Sequence, residues 1–334
     1  MRVETKNEPS FVDSFVNIPT SELDVLEELI DWRRVSQKLR KVKTDYRPLS
    51  LFKMLLLQTW YNMSDQTVSN AVTRDLVYMR FCGFSIEGAK PDATTLCRFR
   101  NKLVKRKLID KVLLIVNNSL ESRGLKLSSG KYISADATLI QSTRRARKTL
   151  VGESREDGTY ETGEIEYSDD KEAGWMKKGA RVSYGYSTTV MTDEDGLVIT
   201  AITHSANKSE MTRFGRDVKA SNLRPGQRLL YDKGAASQEN RELLRSEKLI
   251  DGIMIKKPRG RELSYWQKLR NRLISSKRFV TERTFGTMKR VYGMSRARYL
   301  GIAKVQAEVL LKSISYNLKR AINMYIRQDS CAQN

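Results

Sequence analysis

Apolar residues in the first third of the chain recur at helical spacing. In "TSELDVLEELIDWRRVSQKL" they fall at Leu23, Leu26, Ile30 and Val35, which predicts one helix. Further helices are predicted for "SLFKMLLLQTWYN" from Ser50, "SDQTVSNAVTRDLVYMRF" from Ser64 and "DATTLCRFRNKLVKRKL" after Pro91. Ser50 and Ser64 suit N-caps, because a serine hydroxyl accepts from the free N–H groups of a first turn. "LIDKVLLIVNNSLESRG" keeps the helical period and stops at Gly124. Residues 1–20 read as a tail and residues 21–125 as an all-helical domain.

The period changes near residue 130. "KYISADATLIQ" alternates and is rich in β-formers. A polar, mixed-charge stretch over 142–182 reads as an inserted loop. "SYGYSTTVMTDEDGLVITAITHSAN" predicts a β-hairpin turning at "DEDG". A helix ("SEMTRFGRDVKASN"), a strand ending at Asp232, a helix ("SQENRELLRSEKL") and a strand ("DGIMIKK") follow, and the chain from 262 onward is mostly helical. The order β, β-hairpin, α, β, α, β, α over 130–325 matches an α/β, ribonuclease-H-like core: a mixed sheet flanked by helices, with carboxylates at strand ends. Residues 326–334 read as a C-terminal tail.

Charge narrows the partner class. The 334 residues carry a net charge of +22, which attracts polyanions, nucleic acid first. No apolar run approaches the roughly 20 residues of a spanning helix, and the N-terminus lacks the apolar core of a signal peptide. Three scattered cysteines (Cys82, Cys97, Cys331) and one histidine, His204, give no thiolate or imidazole metal site. The expected setting is the cytoplasm, with no membrane association.

Within this basic chain a few acids stand out. Asp136 sits inside a β-rich run between Ala135 and Ala137, and Asp232 sits where a strand meets a Gly-marked turn. A charge in a strand that otherwise reads as buried is costly unless paired or metal-bound. Glu282 is the only Asp or Glu between Glu262 and Glu308, an interval with eleven Lys and Arg. Helical spacing puts Arg278, Glu282, Phe285, Lys289 and Tyr292 on one face. Locally, Arg278 and Glu282 could simply form an i,i+4 ion pair. A surface built only to hold phosphate, however, gains nothing from an acid, whereas one that places Mg²⁺ beside phosphate needs it. Together the three acids suggest a two-metal phosphodiester site, with Arg278 and Lys289 contacting substrate phosphates.

These residues carry a family pattern. The chain resembles the DDE transposases of bacterial insertion sequences, in particular the group with a Y-x2-R-x3-E-x6-K signature. Arg278, Glu282 and Lys289 match its spacing, while Ser275 stands at the tyrosine position. "ADATLI" and "LYDKGA" look like the two Asp motifs, "RYLGIAKVQAEVLLKSISYNLKRA" resembles the C-terminal helix, and "LFKMLLLQTWYNMSDQTVSNAV", "FCGFS" and "PDATTLCRFRNKL" resemble the preceding helical domain. The resemblance covers roughly residues 25 to 322. It implies binding of terminal inverted repeats, cleavage at the element's end and joining to target double-stranded DNA with two Mg²⁺ ions (Mn²⁺ substituting). It also implies a homodimer or larger synaptic complex acting at the nucleoid, with Asp136, Asp232 and Glu282 as metal ligands.

Other residues have more ordinary roles open to them. Arg98, Arg100, Lys102, Lys105, Arg106 and Lys107 form a basic helix that reads either as DNA-binding or as a solvated face. Arg144 and Arg145 in "STRRARKTL" hold DNA near the site or belong to a charged loop. Trp175 stacks on an unpaired base or is part of the core. His204, Tyr231 and Tyr292 read as structural. A ribonuclease-H-like nuclease without strand transfer and a DNA-binding protein that has lost catalysis are the competing readings. The three intact acids argue against the second.

Overall fold

The structure is a computed structural model that describes residues 21–125, 127, 130–144, 148–150, 165–167, 170–178 and 180–332. The expected N-terminal tail lies outside the described residues. Among them, seven helices precede the first strand: α1 (Glu22–Leu29), α2 (Trp32–Leu39), α3 (Pro48–Trp60), α4 (Asp65–Arg74), α5 (Leu76–Cys82), α6 (Ala93–Lys105) and α7 (Ile109–Ser122).

Two runs expected as single helices are each broken at an aspartate. Ile30 is extended, and Asp31 restarts the chain as α2 by accepting the Arg34 N–H at 3.1 Å. Asp75 separates α4 from α5, accepting the N–H groups of Val77 (2.8 Å) and Tyr78 (3.1 Å). Aspartate offers the following backbone a capping acceptor, so the helix can end and restart while the apolar spacing runs on. Ser64 caps α4 as expected, but α3 begins at Pro48 and Ser50 is buried inside it. Proline suits a first helical turn because it has no N–H to leave unpaired there.

The remaining elements are β1 (Tyr132–Gln141), β2 (Lys148–Leu150), β3 (Ile165–Tyr167), β4 (Gly174–Lys178), β5 (Arg181–Thr192), β6 (Val198–Ser205), α8 (Glu210–Ala220), β7 (Arg228–Tyr231), α9 (Gln238–Ser246), β8 (Ile250–Ile253), α10 (Tyr265–Val291) and α11 (Ile302–Ala332). β1 pairs antiparallel with β5 and parallel with β7, and β7 pairs parallel with β8. β6 and β4 share the outer edge of β5, β6 along Tyr186–Thr192 and β4 along Arg181–Gly185. This mixed six-stranded sheet with helices on both faces is a ribonuclease-H-like α/β core.

The 142–182 stretch is not wholly loop. β2 and β3 pair with each other, and β4 extends the sheet. An edge strand with a solvated side is polar, so composition alone does not mark it as a strand. At the other end, α11 runs to Ala332, past the expected tail boundary.

Each face of the sheet carries a core. On one, Ile133, Ala135, Met191, Leu229 and Tyr231 pack with Phe214 of α8 and Leu244 of α9. On the other, Ile140, Tyr186, Val190 and Val198 join Phe285 and Met288 of α10, the buried side chains of α11 and the N-terminal helices. α11 is buried on every side from Ala307 to Leu318, because it lies between the helical region and the sheet. Its Asn317 donates to Val198 O (2.7 Å) and to Asn117 Oδ1 (3.0 Å), tying α11, β6 and α7 together. The helical region and the sheet therefore share one core. Among the described residues, no helix is long and apolar enough to cross a membrane.

Candidate active site

β7 ends at Tyr231 while β1 runs on to Gln141, which leaves a gap beside β1. The parallel register pairs Ser134 with Leu230. Asp136 and Asp232, each two residues further on, thus stand at corresponding positions at the mouth of the gap. Crevices beyond the carboxyl ends of parallel strands are where such sheets bind ligands. Asp136 accepts the Ala137 N–H at 2.9 Å, and Asp232 leads a short 3₁₀ turn, Lys233–Ala235.

α10 supplies the third side. Two buried threonines set its depth. Thr281 contacts Thr192 Oγ1 (2.9 Å) across to β5, and Thr284 donates to Gly196 O (3.0 Å) in the β5–β6 turn. Gly196 has φ +84° and lies so close to Val280 and Thr284 that a side chain there would meet both at 3.0 Å. At the helix's other end, Asn271 brackets Ile255, accepting its N–H (2.8 Å) and donating to its carbonyl (2.9 Å).

With α10 held in this way, Arg278 points into the gap. It is 7% exposed. Nη2 lies 2.9 Å from Asp136 Oδ1, and Nη1 lies 3.6 Å from Asp232 Oδ1. In this arrangement the guanidinium bridges the two aspartates, in place of a simple i,i+4 pair with Glu282. Glu282 is exposed at the rim of the buried stripe, and its charge acts on Asp136. Lys289, two turns on, lines a cleft of about 640 Å³ with Ala137, Thr138, Phe285 and Glu210. Ser275 is exposed on α10 before Arg278.

Burial raises the pKa of Asp136 above the ordinary carboxylate value. Arg278 and the Ala137 N–H oppose this, and the charges of Asp232 and Glu282 add to it. Glu210, which opens α8, is also raised by burial, against the pull of Arg213, with the Asp136 and Asp232 charges contributing. Sequence reasoning passed over Glu210 because an acid after an N-cap serine has an ordinary helix-end explanation.

The donor chemistry fits a hard divalent ion. The acids offer only carboxylate oxygens, which Mg²⁺ and Mn²⁺ favour. His204 is engaged elsewhere, by Asp217 at 2.6 Å, and Cys82 is buried in the helical core. Among the described residues, no three acids, cysteines or histidines stand together closely enough to hold a metal as they are. The Arg278 guanidinium fills the space between the two aspartates.

The other residues singled out in the sequence divide by burial. Arg98 and Lys102 on α6 are exposed, with Lys102 Nζ donating to Lys43 O at 2.8 Å. Arg100 is buried, pairs with Asp65 and stacks over Tyr299 at 4.7 Å, so the expectation that it contacts DNA is corrected: the charge is spent inside the fold. Arg144 is exposed, and Arg145 lies outside the described residues. Trp175 is half exposed on β4, against Tyr184 with ring centres 5.2 Å apart. His204, Tyr231 and Tyr292 are buried.

The fold and its paired aspartates define a ribonuclease-H-like protein with a carboxylate site. The sequence model described as "Transposase DDE domain" matches residues 129–318, and that described as "Transposase domain (DUF772)" matches residues 10–102. The transposase for insertion sequence element IS1106 of Neisseria meningitidis serogroup B is 34% identical over 226 residues, 68% of this chain and 77% of that protein. A cryo-EM structure of a piggyBac transposase synaptic complex with hairpin DNA aligns with a TM-score of 0.44 and 9% identity over 96% of this chain and 78% of its own. The chain belongs to the DDE transposase family of bacterial insertion sequences.

Proposed function

We propose that this transposase binds the terminal inverted repeats of its insertion sequence, cuts the DNA at the element's ends and joins the ends to target DNA. The observation that carries the reading is the convergence of Asp136 and Asp232, nearly a hundred residues apart, at matching positions on parallel strands around one buried guanidinium. Asp136, Asp232 and Glu282 hold two divalent ions, Mg²⁺ with Mn²⁺ as substitute. When bound, these ions supply an activated oxygen nucleophile and stabilise the leaving 3′-oxygen. Lys289 holds a phosphate in the cleft beside the acids. Arg98, Lys102 and Arg144 contribute positive charge at the surface, which gives affinity without sequence choice. The helical region over 21–125 reads the repeat, and 130–325 performs the chemistry. Pairing two ends calls for a homodimer or larger assembly, acting at the nucleoid in the cytoplasm.

The test is a labelled duplex carrying the element's ends. Cleavage and joining are expected with Mg²⁺ and not with Ca²⁺. Asp232→Asn is expected to abolish both while leaving binding of the ends nearly intact. Joining by that variant would overturn the assignment, and cleavage without any joining by the unaltered protein would make it a nuclease.

A further inference from the structure

We infer that Glu210 is a fourth carboxylate of this pocket, reaching it from the opposite face of the sheet and strengthening divalent-cation binding beside Asp232. The inference rests on the proposed role of Asp136, Asp232 and Glu282 as cation ligands.

Three observations place it there. Glu210 opens α8, which packs on the sheet face away from α10. Its carboxylate lies over the turn that follows Asp232: Oε2 is 2.7 Å from where the first side-chain carbon of residue 234 would stand, a space left free because that residue is Gly234. Glu210 also lines the same cleft as Lys289, Thr138 and Phe285.

Among the described residues, the nearest cation partner of Glu210 is Arg213 Nη2, 3.9 Å from Oε1 and beyond hydrogen-bond reach. Arg213 is itself buried, stands 4.0 Å from Asp217 on its other side, and has Nε and Nη1 without hydrogen-bond partners. The Nε of Arg278 is likewise buried and unpaired. The charges of Asp232 and Glu282 act on Asp136, and those of Asp136 and Asp232 act on Glu210, in a pocket where Arg278 stands between the aspartates, Arg213 is shared with Asp217 and Lys289 lines the same cleft. The Glu210 side chain is 32% exposed, so its carboxylate is open to the cleft. A hard divalent ion beside Asp232 takes carboxylate oxygens as its preferred ligands.

The experiment measures Mn²⁺ binding to the full chain without DNA, by the electron-paramagnetic-resonance signal of free Mn²⁺, with thermal melting in EDTA alongside. Glu210→Gln keeps size and shape and removes the charge. It is expected to weaken Mn²⁺ binding about tenfold or more, while the melting temperature in EDTA stays level or rises. Glu210→Asp is expected to recover part of the affinity. If Glu210→Gln binds Mn²⁺ like the unaltered protein while Asp136→Asn loses it, Glu210 is not part of the set and the wider site reading stands. A lower melting temperature in EDTA with unchanged Mn²⁺ affinity would make Glu210 a packing residue and overturn the inference. If neither substitution alters Mn²⁺ binding, the carboxylate site itself is wrong and the inference falls with it.

Discussion

Replacing Arg278 with methionine isolates the charge that holds the pocket together. Methionine keeps much of the apolar stem, so the main loss is the guanidinium. That group lies 2.9 Å from Asp136 and 3.6 Å from Asp232. Removing one partner of a buried ion pair costs about 3–5 kcal/mol, since the other charge is left buried and uncompensated. The Asp232 side chain is 38% exposed, so water takes up part of its charge. The expected loss in EDTA is therefore at the low end, about 3 kcal/mol. Adding Asp136→Asn should return about 1–2 kcal/mol, because the stranded charge is then gone. Saturating Mg²⁺ should stabilise Arg278→Met more than the unaltered protein, since the ion no longer competes with a resident cation. Urea unfolding followed by tryptophan fluorescence, with EDTA and with Mg²⁺, measures all of these. Stability of Arg278→Met within about 0.5 kcal/mol of the parent in EDTA, or no recovery with Asp136→Asn, would refute the argument.

Further outcomes follow from charges elsewhere in the chain. Asp193, in the β5–β6 turn, accepts the N–H groups of Asp195 (3.0 Å) and Leu197 (2.8 Å), yet burial pushes its pKa up to about 6 from the ordinary 3.8. A folded pKa above the unfolded one means that its contribution is fully present below about pH 4 and is lost as pH rises through about 6, on the order of 3 kcal/mol in all. Asp193→Asn retains the acceptor and should flatten unfolding stability over that window; equal pH slopes in variant and parent would count against the burial argument. On α6, Arg100→Met should lower stability by about 3 kcal/mol through the stranded Asp65. Arg98→Ala should instead leave melting unchanged and reduce the salt dependence of duplex binding by about one ion. The reverse pattern in melting and salt-titration experiments would show that the division by burial is wrong.

Much of this site is legible in the sequence, and what is not follows from the limits of local pattern. Asp136 and Asp232 stand out because charges in or at the end of apolar strands have few explanations. Their register equivalence across β1 and β7 is long-range and written in neither segment. The roles of the arginines are legible, but only when charge and apolar spacing are read together. On α6 the buried stripe is Leu96, Phe99, Arg100 and Leu103, and Arg98 lies off it. On α10 the stripe is Ile274, Arg278, Thr281, Phe285 and Met288, and Glu282 lies at its edge. Counting basic residues along a helix merges the two kinds; their angular positions separate them. Glu210 was hidden for a different reason: nothing near it in sequence shows that the turn holding Gly234 comes beneath it. The two on-stripe arginines then differ in what they meet. Arg100 finds Asp65 and the face of Tyr299, and its charge is matched. Arg278 bridges two aspartates with the charges of Glu282 and Glu210 acting on the same pocket. Arg213 and Lys289 stand near the same acids, so Arg278 is not the whole of the positive charge there. What separates the two arginines is their setting: Arg100 pairs with one acid under a tyrosine face inside the fold, whereas Arg278 stands between two acids, of which Asp232 is 38% exposed where the strands end.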